Sequence, residues 1–297
     1  MQVIKPFDPW KSPLCTCPPK YTLNPYTGCT HQCIYCYITS YIPHAFNCRP
    51  KEKLLEKVRK DIRKIDKNLV VSMSNSSDPY PSIEKDLKLT RRILELFKKY
   101  DVRVLIITKS DLVVRDVDIL SSMRSSVSFT ITTINEEIAA ALEPYAPSPW
   151  KRIDAIRKLV EKGVKVSVRV DPIILGLNSG EKDIEDVISA VAEAGALHIV
   201  SSTFKPKFDG WKRFKKRFPV ISRKLYKYYF KLGERVGASR YLPSSIRRKL
   251  MEKVRKIAVK HRLTFATCRE GFPELHLAPS CDGSHLVPLQ THLEFIK

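Results

Sequence analysis

The chain is 297 residues long, with 53 Lys and Arg against 31 Asp and Glu, a formal net charge of +22. That length can bury a sizeable core, and no apolar run approaches the roughly 18 residues of a membrane-spanning helix. Residues 1–6 carry no apolar stretch followed by a small-residue cleavage site, so a cytoplasmic protein is expected, its eight cysteines serving as metal ligands rather than as a disulfide framework.

In chain order, an arm with Cys15-Thr16-Cys17 among prolines comes first. A short strand at 21–24 then leads into Gly28-Cys29-Thr30-His31-Gln32-Cys33-Ile34-Tyr35-Cys36-Tyr37. Residues 51–64 place Leu54, Leu55, Val58 and Ile62 on one side, the spacing of an amphipathic helix. Short apolar runs at 69–73, 102–108, 164–170 and 197–201, and an alternating run at 128–134, predict strands. Helices are predicted over 87–100, after Val117, over 150–162 with Gly163 as its stop, and over 184–194 with Gly195 as its stop. Strands alternating with helices predict a parallel sheet with right-handed crossovers.

Six such units are too few to close an eight-stranded barrel. The expected fold is therefore α/β, a partial (β/α)6 TIM-like barrel at 21–204 whose ligands sit beyond the strand C-termini. An arm (1–20), a basic, largely helical extension (205–262) and a tail carrying Cys and His (263–297) would complete it. A doubly wound sheet has the same rhythm, but cysteines directly after the first strand and the lack of a glycine-rich dinucleotide loop favour the partial barrel.

Cys29, Cys33 and Cys36 have the spacing C-x3-C-x2-C. Three thiolates can hold three irons of a [4Fe–4S] cube, and the fourth iron then keeps an open position, the mark of a reactive rather than a structural metal site. A zinc knuckle would need a fourth ligand at paired short spacing, which His31 does not supply. The predicted strand ends are polar: Ser72 and residues 74–80, then Thr108 to Ser110, then Ser128, Thr130, Thr132 and Thr133, then Arg169, Asp171 and Pro172.

The cysteine pattern resembles the radical S-adenosylmethionine (radical SAM) signature. Asn24-Pro25-Tyr26-Thr27-Gly28-Cys29, Ser77-Asp78-Pro79-Tyr80, Ile107-Thr108-Lys109-Ser110, residues 128–133, Leu142-Glu143-Pro144, Ala146-Pro147-Ser148-Pro149 and Pro172-Ile173-Ile174-x-Gly176-Leu177-Asn178 together resemble its spore photoproduct lyase-like branch. The resemblance implies a [4Fe–4S] cluster on Cys29, Cys33 and Cys36, with SAM on the open iron as the source of a 5′-deoxyadenosyl radical. It further implies Tyr35 and Tyr37 beside the cluster, Ser77, Asp78 and Lys109 at the methionyl end of SAM, and a hydroxyl of Ser128 or Thr130 assisting. An electron donor such as ferredoxin or flavodoxin would be a partner. True lyases of this branch place a hydrogen-donating cysteine just before the Ser-Asp pair, where this chain has Asn75 and Ser76, so the lyase reaction itself is not expected.

Cys15, Cys17, Cys268 and Cys281 number four, enough for a tetrahedral zinc or a fully ligated second [4Fe–4S] cluster, the cluster preferred because the enzyme already needs cluster assembly. His276 and His285 are substitute ligands, and Cys48 reads either as a hydrogen donor or as a small core residue, the core preferred.

Residues 205–262 contain 21 Lys or Arg against 3 Asp or Glu, while the rest of the chain is nearly balanced. Lys212, Arg213, Lys215, Lys216, Arg217, Arg247, Arg248 and Lys249 alternate with aromatics and point to phosphates, with rings free to stack on unpaired bases. A nucleic-acid substrate is expected. RNA, tRNA above all, is favoured over DNA because a looped base need not be flipped from a duplex. DNA, a small anionic metabolite or a protein are rival substrates, and a non-catalytic iron–sulfur nucleic-acid-binding protein is the rival of another class. A monomer is expected. The scarcity of glutamine (three residues) beside abundant Lys, Arg and Glu leans toward a thermophile.

Overall fold

A computed structural model of the chain describes residues 2–7, 12–73 and 75–289. Its strands are β1 (Lys5–Pro6), β2 (Tyr21–Leu23), β3 (Tyr26–Thr27), β4 (Arg49–Pro50), β5 (Val71–Met73), β6 (Val104–Thr108), β7 (Ser125–Thr130), β8 (Lys165–Ile173), β9 (His198–Thr203), β10 (Glu234–Val236), β11 (Ser239–Tyr241) and β12 (Thr264–Thr267). Its helices are α1 (Leu54–Ile62), α2 (Glu84–Leu87), α3 (Leu89–Lys99), α4 (Val117–Leu120), α5 (Glu136–Leu142), α6 (Pro149–Glu161), α7 (Glu181–Glu193), α8 (Phe208–Arg217), α9 (Pro219–Phe230) and α10 (Ser244–Lys260).

One eight-stranded sheet runs in the order β1-β2-β5-β6-β7-β8-β9-β12. Only β1 is antiparallel to its neighbour; every other pairing is parallel. The six expected strands are therefore present in sequential order, and the sheet is mixed and open. It is also larger than expected. After α10 the chain returns and β12 pairs with β9, Phe265 opposite Ile199, so α10 serves as the crossover helix of a seventh parallel strand. Four residues beside Cys268 gave little warning of that strand. The fourth predicted strand is also displaced: β7 ends at Thr130, because Thr132 and Thr133 turn their hydroxyls to Glu143 and the Asn135 amide and leave the ladder.

Local chemistry explains the helix limits. α6 starts where Ser148 accepts from the Lys151 amide at 3.4 Å and Pro149 takes the first turn, and it stops before Gly163, which has φ +78°. The period of two along each strand sorts the sheet into two faces. Val104, Ile106, Val127, Phe129, Val166, Val168 and Ile199 join the main core beneath the helices.

The other face is small and polar on β7 and β8, with Ser126, Ser128 and Ser167 all buried. That face leaves room for a chain segment, and the C-terminal tail occupies it. Gly283 lies against Ser167 and His198, and the His285 ring meets His198 edge-on at 4.9 Å. Val287 packs on Val70 and Leu105. Arg103 and Arg124, just before β6 and β7, then hold the carbonyls of Val287 and Leu289, each at 2.8 Å. At its upper end the tail is held by a buried ion pair between Lys20 and Asp282.

Candidate functional site

The cysteine loop leaves β2 and turns at Gly28, whose φ is +81°; a Cβ there would lie 2.7 Å from the Asn47 carbonyl and 2.9 Å from that of Ala45. Only glycine fits this turn, and it lets the Cys29 amide bond Ala45 at 2.8 Å. Cys29, Cys33 and Cys36 line one cavity of about 380 Å³ beyond the C-terminal ends of the parallel strands. Burial pushes the Cys33 thiol up to about 12 and raises those of Cys29 and Cys36. The bare thiolate is therefore disfavoured, a preference that a bound metal cation reverses. Three soft donors on one short loop facing a roomy cavity suit an iron–sulfur cube with one open iron.

Asp78 follows β5. It accepts from the Thr108 hydroxyl at 2.7 Å, the Lys109 amide at 2.8 Å and the Tyr80 amide at 2.9 Å, and faces His31 Nε2 at 3.2 Å. Burial works to raise its pKa, but His31 and these donors outweigh it and hold the carboxyl at about 2. With its oxygens so engaged, Asp78 fastens the cysteine loop to the end of β6. The Lys109 ammonium stands 5.6 Å from the Tyr35 ring centroid. Its pKa is raised: burial opposes the charge, and Cys33 and Glu143 more than compensate.

Behind Tyr35 lies a network that the spacing of residues did not reveal. The Tyr35 hydroxyl donates to Glu143, Thr132 donates to the same oxygen at 2.7 Å, and the buried Arg152 guanidinium closes on Glu143. Arg152 also donates to the carbonyls of Thr130 and Pro147, each at 2.9 Å. Glu143 is held at about 2, its burial outweighed by Arg152 and Lys109. One signal existed in the sequence: Arg152 interrupts an apolar helix face, four and seven residues before Ile156 and Leu159.

Tyr35, Tyr37, Ser77, Asp78, Lys109 and Thr130 all line the cavity with the three cysteines. Ser128 does not; it sits two residues deeper on β7, fully buried, its hydroxyl without a partner among the described residues. Tyr37 donates to the Asn75 carbonyl, and Asn75 and Ser76 form part of the wall. Ser74 lies outside the described residues. Another wall carries Arg169 paired with Asp171 at 2.9 Å and Lys205 paired with Glu270 at 2.8 Å.

Cys15, Cys17 and Cys268 line the same cavity, and Cys281 Sγ stands 3.4 Å from Cys17 Sγ. His276 and His285 are engaged elsewhere, with Thr267 at 2.9 Å and Ser280 at 2.7 Å. Cys48 packs half-buried against the main core. Among the described residues, no three Cys, His, Asp or Glu side chains already converge to metal-ligand spacing, those of the cysteine loop included.

The basic extension divides. Lys212, Lys215, Lys216, Arg217 and Lys249 are exposed, and Arg248 is half-buried and paired with Glu274. Arg247 is buried between Glu270 and Glu234, which removes it from the exposed face. Arg213 turns inward as well, onto the carbonyls of Ile34 and Cys36 at 3.0 and 2.7 Å. Most of the interleaved aromatics also face inward. Trp211, Phe214 and Tyr229 are buried against one another, leaving Phe208, 86% exposed, and Tyr226 on the outside.

Comparison with known proteins identifies the family. A family model described as Radical SAM superfamily matches residues 23–191. An uncharacterised protein of Methanocaldococcus jannaschii is 37% identical over 179 residues, 57% of this chain and 65% of that one. An uncharacterised protein of Acidianus two-tailed virus is 31% identical over 194 residues, 59% of this chain and 64% of that one. The matched region thus spans a little under two thirds of each of these relatives. Among solved structures, a spore photoproduct lyase mutant with bound AdoMet and dinucleoside spore photoproduct superposes with a TM-score of 0.67 at 18% identity, covering 83% of this chain and 75% of that one. At that identity the likeness is one of fold.

Proposed function

The chain belongs to the radical SAM superfamily, and we propose that it modifies a nucleotide of a nucleic acid, with structured RNA, tRNA above all, as the substrate. Superfamily membership implies SAM and a [4Fe–4S]-type cofactor, which Cys29, Cys33 and Cys36 would hold. When bound, this pair supplies reductive cleavage of SAM and a 5′-deoxyadenosyl radical that abstracts hydrogen. Lys109 offers its ammonium to the SAM carboxylate, Asp78 keeps the loop and β6 in register for it, and Tyr35 and Tyr37 wall the site off from water. Electrons would come from a ferredoxin or flavodoxin.

The observation that carries the substrate reading is the seat of the basic extension. α8 presents Lys212, Lys215, Lys216 and Arg217 to solvent while its Arg213 is bonded to the cysteine loop. A phosphate backbone drawn to that face would lie beside the cavity mouth, with Lys207 at the rim. The spore photoproduct lyase of similar fold holds a dinucleoside, which supports a nucleotide as the reacting group. RNA is favoured because a looped base reaches a buried radical without the cost of leaving a duplex.

Anaerobically reconstituted protein given SAM and dithionite should release 5′-deoxyadenosine or methionine. Mass spectrometry of nucleosides and peptides from cells with and without the protein should then show the altered species in RNA. Absence of SAM cleavage would remove the enzyme reading and leave an iron–sulfur binding protein. An altered species confined to DNA, metabolites or peptides would overturn the RNA assignment.

A further inference from the structure

Four cysteines outside the C-x3-C-x2-C run come from opposite ends of the chain: Cys15, Cys17 and Cys268 line the cavity, and Cys281 stands against Cys17. Cys17 and Cys281, 264 residues apart, have their sulfurs 3.4 Å from each other. Cys268 lies within electrostatic reach of both Cys15 and Cys281. All four are free thiols. We propose that Cys15, Cys17, Cys268 and Cys281 bind one Zn²⁺, a clasp joining the N-terminal arm to the C-terminal tail at the cavity rim.

Distance selects the metal. Cys17 and Cys281 are both free thiols here, in contact without a bond between them. Two thiolates on one tetrahedral zinc, each at about 2.3 Å, stand about 3.8 Å apart, close to what Cys17 and Cys281 already show. A cubane carries one thiolate on each of four separate irons and spreads them more widely. The geometry therefore favours zinc over the second iron–sulfur cluster that cysteine number alone allows. Zinc would draw Cys15 and Cys268 in to complete the set.

The surroundings suit a tetrathiolate, which retains two negative charges. Lys20 lies beside Cys17 and Cys281, held by Asp282, and Arg169 lines the cavity with Cys268, within electrostatic reach of it. The clasp also has mechanical sense. From Asp282 onward the tail enters the inner face of the open sheet, and Cys281 is the last residue before that entry.

The test uses the full chain with Cys29, Cys33 and Cys36 all replaced by Ala, so that it is independent of the radical SAM reading. This variant should purify with about one zinc per chain. Cobalt exchanged into it should show the visible bands of a tetrahedral tetrathiolate, and zinc-edge absorption should fit four sulfurs. Adding Cys17→Ser and Cys281→Ser should abolish zinc binding. A folded triple variant without zinc, zinc retained after the two serine substitutions, nitrogen or oxygen ligands at the zinc edge, or iron with acid-labile sulfide in place of zinc would each overturn the proposal. The absorption measurement needs only the triple variant and stands even if the further substitutions prevent folding.

Discussion

Arg213 donates from Nη2 to the Cys36 carbonyl at 2.7 Å and from Nε to the Ile34 carbonyl at 3.0 Å, so one guanidinium spans the backbone on both sides of Tyr35. Asp209, one turn earlier on α8, steadies that guanidinium at 3.1 Å, and Thr39 accepts from it at 3.0 Å. The extension and the cysteine loop are thereby one mechanical unit. Arg213 is a positioning residue: it touches the loop backbone and no thiol. Removing it takes the guanidinium donor from the half-buried Ile34 carbonyl and leaves the Cys36 carbonyl with only the Thr39 hydroxyl at 3.2 Å, at about 1.5–3 kcal/mol for each charge-assisted bond lost. Arg213→Ala should lower iron bound per chain after anaerobic reconstitution and slow substrate-free 5′-deoxyadenosine release about tenfold or more. Arg213→Lys should recover only part, because an ammonium lacks the planar fork that reaches both carbonyls. Iron content and release rate equal to those of the unaltered protein would refute the clamp.

The exposed side of the same helix predicts the opposite split. Replacing Lys212, Lys215, Lys216 and Arg217 with Gln should weaken single-stranded RNA binding and flatten its salt dependence. At a slope of roughly 0.7 per phosphate contact, four lost contacts reduce the log–log slope by about 3. Substrate-free SAM cleavage should be unchanged, since these side chains face solvent. Anisotropy titrations across a salt series measure the slope, and an unaltered slope would remove the phosphate-binding role.

The contrast between Arg213 and Lys212 shows where sequence reading stops. Charge counting treats them alike, whereas burial separates them. The one clue was local: Asp209 is the lone acid in a basic run and lies four residues before Arg213, the spacing of a helical ion pair. The cysteine loop and the six sequential strands were legible because ligand spacing and the periods of 2 and 3.6 are written locally. The path of the tail was not. It depends on small residues on β7 and β8, Ser126, Ser128 and Ser167, that leave a trough only once the strands are paired. Cys17 and Cys281 could be suggested as partners by number, but their contact needed the fold. Ser128 and Thr130 looked equivalent until the strand end placed one in the cavity and the other beneath it.

Glu143 gives the site an acid-side signature. Its folded pKa of about 2 lies below the usual carboxylate value of 4.5, so folding favours the ionised form. The resulting stability is fully present above about pH 4.5 and is lost as pH falls through that range toward 2. The gap corresponds to about 3 kcal/mol. Glu143→Gln also leaves the buried Arg152 charge without its carboxylate, so the variant should be about 3–5 kcal/mol less stable at pH 7. Urea unfolding of unreconstituted protein should show this difference shrinking steadily between pH 5 and pH 3, as the unaltered protein loses the same contribution. A difference that stays constant over that window would mean that Glu143 is not ionised in the folded state.

Gly283 tests whether the tail is seated in the sheet. Its φ is +83°, and a Cβ there would stand 2.6 Å from Ser167 Oγ and 3.0 Å from Ser167 Cβ. Gly283→Ala therefore meets two obstacles, a left-handed backbone costing about 1–2 kcal/mol and a collision with β8. The Ser167 hydroxyl is buried without a hydrogen-bond partner among the described residues, so Ser167→Ala alone should be neutral or slightly stabilising. Combining the two removes the collision with Oγ and leaves the backbone cost and the tight contact with Cβ. The double variant should then be more stable than the sum of the single effects by about 1 kcal/mol, the coupling expected of residues in direct contact. Strictly additive urea-unfolding energies would place residue 283 away from Ser167 and the tail outside the trough.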